Sequence, residues 1–430
     1  MSKPLPLEII RPIVLYLKDD KKSLHSCLLV SRDWCRGTVN ILWEQPFHFL
    51  YTCNNNKKNI ITYSTSLSNL SNLYNTNYNS MNNNNKCQCS EKKRQLQATN
   101  LLITYLSIKY NNELIEKNII TNIMTKGENM MFNYFEFLKS LDLLELYSAI
   151  QDWIQWMNIN KSMNSSILNS KINTIFNKEY PSLKYNIFEY FFTYSLKLKL
   201  LSFDEEFILR KFDNNNNYNN YPCSSLIKEK LRDNSWHIYL ILNNLLELKN
   251  PEIKQIFINL SELVFTTKSK KIQSLFLISK NCHNIQKLII RINYDFRNLY
   301  DETNQLISLI ESQKNLIYFE LIENRTYTNE ILKSLKEFQY NSLKTLILKD
   351  VFISKNDIIL FNLKNLQELR FNRCIYSNNN RFNDEKKNDW VDLWLPNLKH
   401  LEVDFLDKYK EESNELYSIL LRSSPLISNI

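Results

Sequence analysis

One short pattern recurs through the C-terminal part of the chain and limits its fold more than any other feature. Apolar residues stand at the first, fourth and sixth positions of a six-residue unit, written LxxLxL. The units are Leu260, Leu263 and Phe265; Ile285, Leu288 and Ile290; and Leu316, Phe319 and Leu321. Leu343, Leu346 and Leu348 follow, then Leu366, Leu369 and Phe371, then Leu398, Leu401 and Val403. Alternation at the end of each unit is the mark of a short strand with one buried face. The units begin 25, 31, 27, 23 and 32 residues apart. Between them lie helical apolar patterns at 302–314 (Leu306, Ile307, Ile310), 329–339 (Ile331, Leu332, Leu335) and 411–422 (Leu416, Ile419, Leu420). Strand, turn, helix and return predict parallel strands. Asn293, Asn324 and Cys374 follow three of the units. Their side chains can satisfy backbone groups as the chain leaves the strand.

The pattern resembles the leucine-rich repeat, whose period is roughly 20–29 residues, here with insertions. The resemblance implies an irregular solenoid with parallel strands over 259–430; an α/β domain of unrelated strands and helices is the alternative. In a solenoid the residues alternating with the buried ones face solvent on the concave side. Those are Lys287, Ile289 and Arg291; Tyr318, Glu320 and Ile322; and Thr345, Ile347 and Lys349. Glu368, Arg370 and Asn372, then His400, Glu402 and Asp404, complete the row. Tyr318, Ile322, Ile347 and Arg370 are the candidate substrate-binding anchors, because exposed aromatic, aliphatic and Arg groups dominate interface hot spots.

The N-terminal stretch has its own organisation. Ile9, Ile10, Ile13, Val14 and Leu17 form one stripe of an amphipathic helix that Pro6 suits at its entry, with Pro12 as an interruption. Ser23 can cap a second helix carrying Leu24, Cys27, Leu28 and Val30, and Ser31 a third running to Trp43. About 40 residues bury too little apolar surface to be stable alone. Leu5-Pro6, then Val30-Ser31-Arg32-Asp33-Trp34, then Leu42-Trp43 resemble the F-box, a three-helix module that docks the Skp adaptor of SCF-type ubiquitin ligases. An ordinary helical subdomain is the alternative. The residues matching the family's positions are Leu5, Pro6, Ile9, Ile10, Leu28, Val30, Trp34, Leu42 and Trp43. The resemblance implies adaptor binding there and, through the adaptor, cullin and RING subunits.

Composition removes several function classes. Only two glycines occur, Gly37 and Gly127, so no Gly-rich phosphate loop or nucleophile elbow is possible. Eight cysteines and five histidines show no zinc or HExxH spacing, so no cofactor, metal site or catalytic residue is expected. Scattered cysteines without a signal peptide suit reduced thiols in the cytoplasm or nucleus. No apolar run approaches the ~18 residues of a membrane span. The net charge is +9, yet residues 259–430 hold 24 Lys+Arg against 22 Asp+Glu. Without clustered cations a nucleic-acid partner is not expected.

The expected organisation is therefore a chain that is mostly α plus an α/β solenoid. An F-box spans 3–46, an Asn-rich low-complexity insert 47–98, a helical region 99–258 and the repeats 259–430. The helical region can hold further degenerate repeats, with Leu183 to Ile187 as a remnant, and Trp153 and Trp156 as core residues. The expected function is that of a non-catalytic adaptor, holding an unidentified protein substrate near the ligase. A repeat scaffold unconnected with ubiquitin transfer is the alternative.

Overall fold

The computed structural model describes residues 5–47, Leu50, 91–107, 132–164, 184–203, 238–267, 273–292, 299–322, 328–354, Asp357, 362–377, 393–405 and 410–427, single positions within these ranges aside. The insert expected between residues 47 and 98 falls mostly outside them, but a helix begins at Glu91 and buries Gln95 and Ala98.

Three short helices open the chain: α1 (Leu7–Tyr16), α2 (Lys21–Leu28) and α3 (Arg32–Leu42). Pro6 is the N-cap of α1, and its carbonyl accepts the N–H groups of Ile9 and Ile10. Pro12 lies inside the helix without ending it; without an N–H it cannot bond the Glu8 carbonyl. Asp20, rather than Ser23, caps α2. Its Oδ1 accepts the N–H of Lys22 (3.0 Å) and Ser23 (3.2 Å), and its Oδ2 the Ser23 hydroxyl (2.7 Å). Ser31 caps α3 by accepting the Trp34 N–H at 3.4 Å. Ile10, Val14 and Leu24 form the small buried cluster between the helices, with Leu17, Trp34, Ile41 and Leu42 against it.

Gly37 sets the closest approach in this unit. A Cβ there would stand 2.9 Å from Ile10 Cγ2 and 3.6 Å from Leu7 Cδ1. Gly37→Val is therefore expected to destabilise the α1–α3 pair by about 1–3 kcal/mol through overpacking. Amide exchange on the full chain should show α1 losing protection first. Unchanged α1 protection would mean that the two helices part at no cost.

The rest is mixed α/β. A nine-stranded sheet runs in the order β1-β2-β3-β4-β5-β6-β8-β7, with β9 also on β8, and every pairing is parallel. The strands are β1 (Ser140–Asp142), β2 (Leu200–Phe203), β3 (Glu262–Thr267), β4 (Lys287–Ile292), β5 (Tyr318–Ile322), β6 (Thr345–Lys349), β7 (Phe352–Ser354), β8 (Glu368–Ser377) and β9 (His400–Phe405). The helices after α3 are α4 (Glu91–Ser107), α5 (Leu143–Asn164), α6 (184–194), α7 (240–247), α8 (Pro251–Asn259), α9 (Gln273–Asn281), α10 (Leu299–Ser312), α11 (Thr328–Phe338) and α12 (Lys410–Arg422).

The fourth residue of each unit occupies one ladder: Leu141, Leu201, Leu263, Leu288, Phe319, Leu346, Leu369 and Leu401 are successive Cα partners. Two members of this ladder lie before residue 259. Leu138, Leu141 and Leu143 repeat the pattern, as do Leu198, Leu201 and Phe203, and all six are buried. Of the expected remnant, Leu183 lies outside the described residues, and Lys184 to Ile187 are helical instead. The helices between strands match the expected positions within a few residues, and Trp153 lies in the core.

Side-chain amides join one unit to the next. Asn284, Asn365 and Asn397 each immediately precede a unit, and each donates its Nδ2 to a carbonyl of the unit before. The acceptors are Ile258 (3.0 Å), Asn341 (2.6 Å) and Lys364 (2.9 Å). Buried Gln313 donates to the carbonyls of Cys282 and Leu309 and accepts the Ile285 N–H. These groups satisfy backbone that helix ends and turns would otherwise leave unpaired. Cys374 does what the sequence suggests: its thiol, which burial pushes up to about 12, stays protonated and donates to the Leu348 carbonyl at 3.2 Å.

Candidate functional site

Two surfaces are candidates. The first lies on the entry to α1, on α1 itself and on the turn that follows α2. Leu5, Pro6, Ile9 and Val30 are exposed, and so are Ile13, Tyr16 and Leu29, the last 79% exposed. Apolar side chains this exposed, grouped on so small a unit, are the mark of an interaction surface. Ile13 and Leu29 are additions to the residues expected from the sequence. Ile13 was legible as the helical neighbour of Ile9 four positions on, whereas Leu29 has no such signal.

The other expected adaptor-binding residues divide by depth. Ile10 is fully buried and holds α1 in place. Trp34 and Leu42 pack against that cluster, and Leu28 is half-buried. Trp43 is half-buried and packs on the large core instead. Its ring lies 3.9 Å from that of Tyr134 and 5.5 Å from that of Tyr105, against the large core. Ile10 is thus withdrawn from a partner-facing surface, since full burial leaves it no contact to offer, whereas Trp43 keeps some exposure, with part of its ring spent on the large core. The next residue continues the sheet's bonding pattern. The Glu44 carbonyl accepts the N–H groups of Lys139 (3.3 Å) and Ser140 (3.1 Å), and Glu44 Oε2 meets Lys139 Nζ at 3.3 Å. The three-helix unit is therefore joined to the β1 end of the sheet through packed rings and backbone bonds rather than a loose linker.

The second surface is the sheet face away from the helices. Its cross-strand rows are set by register. One runs Glu262, Lys287, Tyr318, Thr345, Glu368, His400, and the next Val264, Ile289, Glu320, Ile347, Arg370, Glu402. Ionic and aromatic groups link along these rows. Lys287 Nζ lies 3.5 Å from Glu262 and 5.3 Å from the centre of the Tyr318 ring. Tyr318 donates to Glu320 at 2.6 Å, and Lys349 Nζ meets Glu320 at 2.7 Å. Burial and the Glu320 carboxylate hold the Tyr318 phenol well above its ordinary range, so it remains the donor. Further along, Arg370 pairs with Glu368 and, at 3.2 Å, with Glu402.

This face is not solvated throughout. Ile322 (3% exposed) and Ile347 (7% exposed) are buried, as are Ile289, Arg291 and Glu320. Val264, Ile289 and Ile322 form a separate apolar cluster with Tyr318 against it. Ile322 and Ile347 are accordingly withdrawn as exposed anchors. Alternation assigns a side chain to a face, but neighbours on adjacent strands decide how much of it water reaches. Arg370 and Tyr318 remain half-exposed, and His400, Glu402 and Asp404 are exposed. The accessible part is therefore the end formed by β8 and β9.

Among the described residues no group of three His, Cys, Asp or Glu side chains is placed to hold a metal ion, and no helix is long and apolar enough to cross a membrane. Comparison with protein-family models, curated proteins and solved structures finds no match.

Proposed function

We propose that this chain is the substrate-recognition subunit of an SCF-type ubiquitin ligase. The F-box-like helices dock a Skp adaptor, and a leucine-rich-repeat solenoid holds the substrate. The observation that carries this reading is the set of exposed apolar residues Leu5, Pro6, Ile9, Ile13, Leu29 and Val30, on three helices whose buried apolar side chains are Ile10, Val14, Leu24, Cys27 and Val39. Burying one such side chain contributes ~1.5–3 kcal/mol, so this small set does little more than hold the helices together, and a partner helix on the exposed residues would add burial. The order of Leu5-Pro6, Val30 to Trp34 and Leu42-Trp43 supports an F-box over an arbitrary helical cap. Supporting the repeat reading, the eight main strands succeed one another in chain order and in a single register.

The chain then works by proximity. Cullin and RING subunits reached through the adaptor supply the chemistry, and this subunit raises the effective concentration of a substrate lysine near the ubiquitin thioester. The packed joint at Trp43 and Glu44 suits that role, because a stiff connection keeps the two ends at a defined distance. Substrate contact is assigned to Arg370, Glu402 and His400, with Tyr318 beside them.

The test uses exposed residues, so that folding and docking separate. Ile9→Lys combined with Val30→Lys leaves the buried cluster intact and places two charges in the interface. Each hot-spot loss costs ~2 kcal/mol or more, together on the order of a thousandfold in affinity. Co-purified adaptor should disappear while thermal unfolding stays that of the parent. Undiminished adaptor capture by this variant would remove the F-box assignment and leave a repeat scaffold.

A further inference from the structure

The two ends of the sheet differ. Each strand from β1 to β6, and then β8 and β9, begins with two successive N–H groups on one carbonyl of the preceding unit. The acceptors are Glu44, Lys139, Lys199, Ser261, Gln286, Ile317, Lys344 and Gln367 in turn. The next carbonyl in the series, Lys399, receives no N–H group among the described residues. No described strand pairs with the outer side of β9. Leu401 and Val403 are half-buried, whereas their counterparts Leu369 and Phe371 are fully buried. An open strand edge beside partly covered apolar groups is a template for strand addition.

The side chains say what would add. On the polar face β9 presents Glu402 and Asp404, both exposed. Glu402 meets Arg370 (3.2 Å), while Asp404 has no ion pair among the described residues. On the opposite face it presents Leu401 and Val403. We infer that β9 takes up, as a further parallel strand, an extended partner segment in which basic residues alternate with apolar ones. The basic side chains lie beside Glu402 and Asp404, and the apolar ones cover Leu401 and Val403. The inference rests on the sheet being the recognition arm and names the class of segment it recognises.

Register gives a specific test. The His400 N–H is directed at β8, so the backbone groups of Leu401 and Val403 point to the open side. The probe is a short, capped, labelled peptide alternating Lys and Val, titrated against the full chain by fluorescence anisotropy. Saturable binding is expected. Glu402→Lys with Asp404→Lys should weaken it about tenfold or more. N-methylation of every second residue, on the edge that meets β9, should abolish binding with the peptide's charge unchanged. Equal binding of the N-methylated peptide would reduce the effect to non-specific charge and overturn the inference, as would no saturation by the parent peptide. Self-association of the chain that persists in the charge-reversed variant would place a second copy on β9 instead. Adaptor co-purification from the same samples keeps the readings apart: peptide binding without adaptor sinks the ligase proposal alone, and adaptor without peptide binding sinks this one alone.

Discussion

Trp43→Ala is expected to lower the stability of the chain by ~2–3 kcal/mol, below the range for removing a fully buried aromatic ring because Trp43 is half-buried. The ring sits between Tyr134 and Tyr105, at 3.9 and 5.5 Å, on the large core. Beside it, the Glu44 carbonyl holds the start of β1 through Lys139 and Ser140. Loss of the ring frees both neighbours and weakens the bonds that cover the first sheet edge. Amide exchange should therefore rise at 139–142 as well as at 43–47, and the denaturant midpoint should fall. On the proposed function, adaptor capture should suffer less than in the Ile9→Lys and Val30→Lys variant, since the Trp43 ring packs on the large core. A variant with a parental midpoint, or one losing adaptor and nothing else, would return Trp43 to the docking surface.

Gln339→Glu should be nearly as damaging although it changes shape hardly at all. Gln339 is fully buried. Its Nε2 donates to the carbonyls of Ile310 and Gln313, both at 2.9 Å, and its Oε1 accepts the Leu316 N–H (3.2 Å) and the Ser342 hydroxyl (2.8 Å). A carboxylate would set a charged oxygen against two carbonyls, at a cost of several kcal/mol. Burial and those carbonyls favour the protonated acid, so the introduced group has a folded pKa above the ordinary ~4.3 of glutamate. A raised folded pKa means that stability is lost as pH rises. The variant should lie nearest the parent below about pH 4, and fall away as pH climbs from there through the raised folded value. Urea unfolding of both proteins at acid and neutral pH measures this. Parallel pH dependence would show that the site is hydrated or relaxes around the charge.

Which parts of this structure were legible follows from the reach of each signal. The LxxLxL units from Leu260 onward were visible because alternation within a strand is local and the units recur at short intervals. The earlier units at Leu138 and Leu198 carry the same pattern, but they begin 60 and 62 residues before the next, and a repeat so diluted cannot be told from chance. The asparagine ahead of Ile285, Leu366 and Leu398 was equally present in the sequence. Its purpose emerges only where parallel pairing brings the previous unit's carbonyl within reach. The caps show the same division: Ser31 was predictable, while Asp20 displaced Ser23 because a carboxylate can accept two N–H groups and a hydroxyl together.

By itself the sequence determined the strand period, the side of each strand that enters the core, the positions of the helices between strands, and a small N-terminal helical unit with more apolar surface than it can bury. These depend on residues within a turn or two of one another. The tertiary structure alone decided depth. It made Ile10 internal, set Trp43 against the large core, and left Ile9 and Val30 in water; it buried Ile322 and Ile347 and left the outer side of β9 without a paired strand among the described residues. Exposure is a property of what packs against a side chain from other parts of the chain, and sequence spacing carries no record of those distant neighbours.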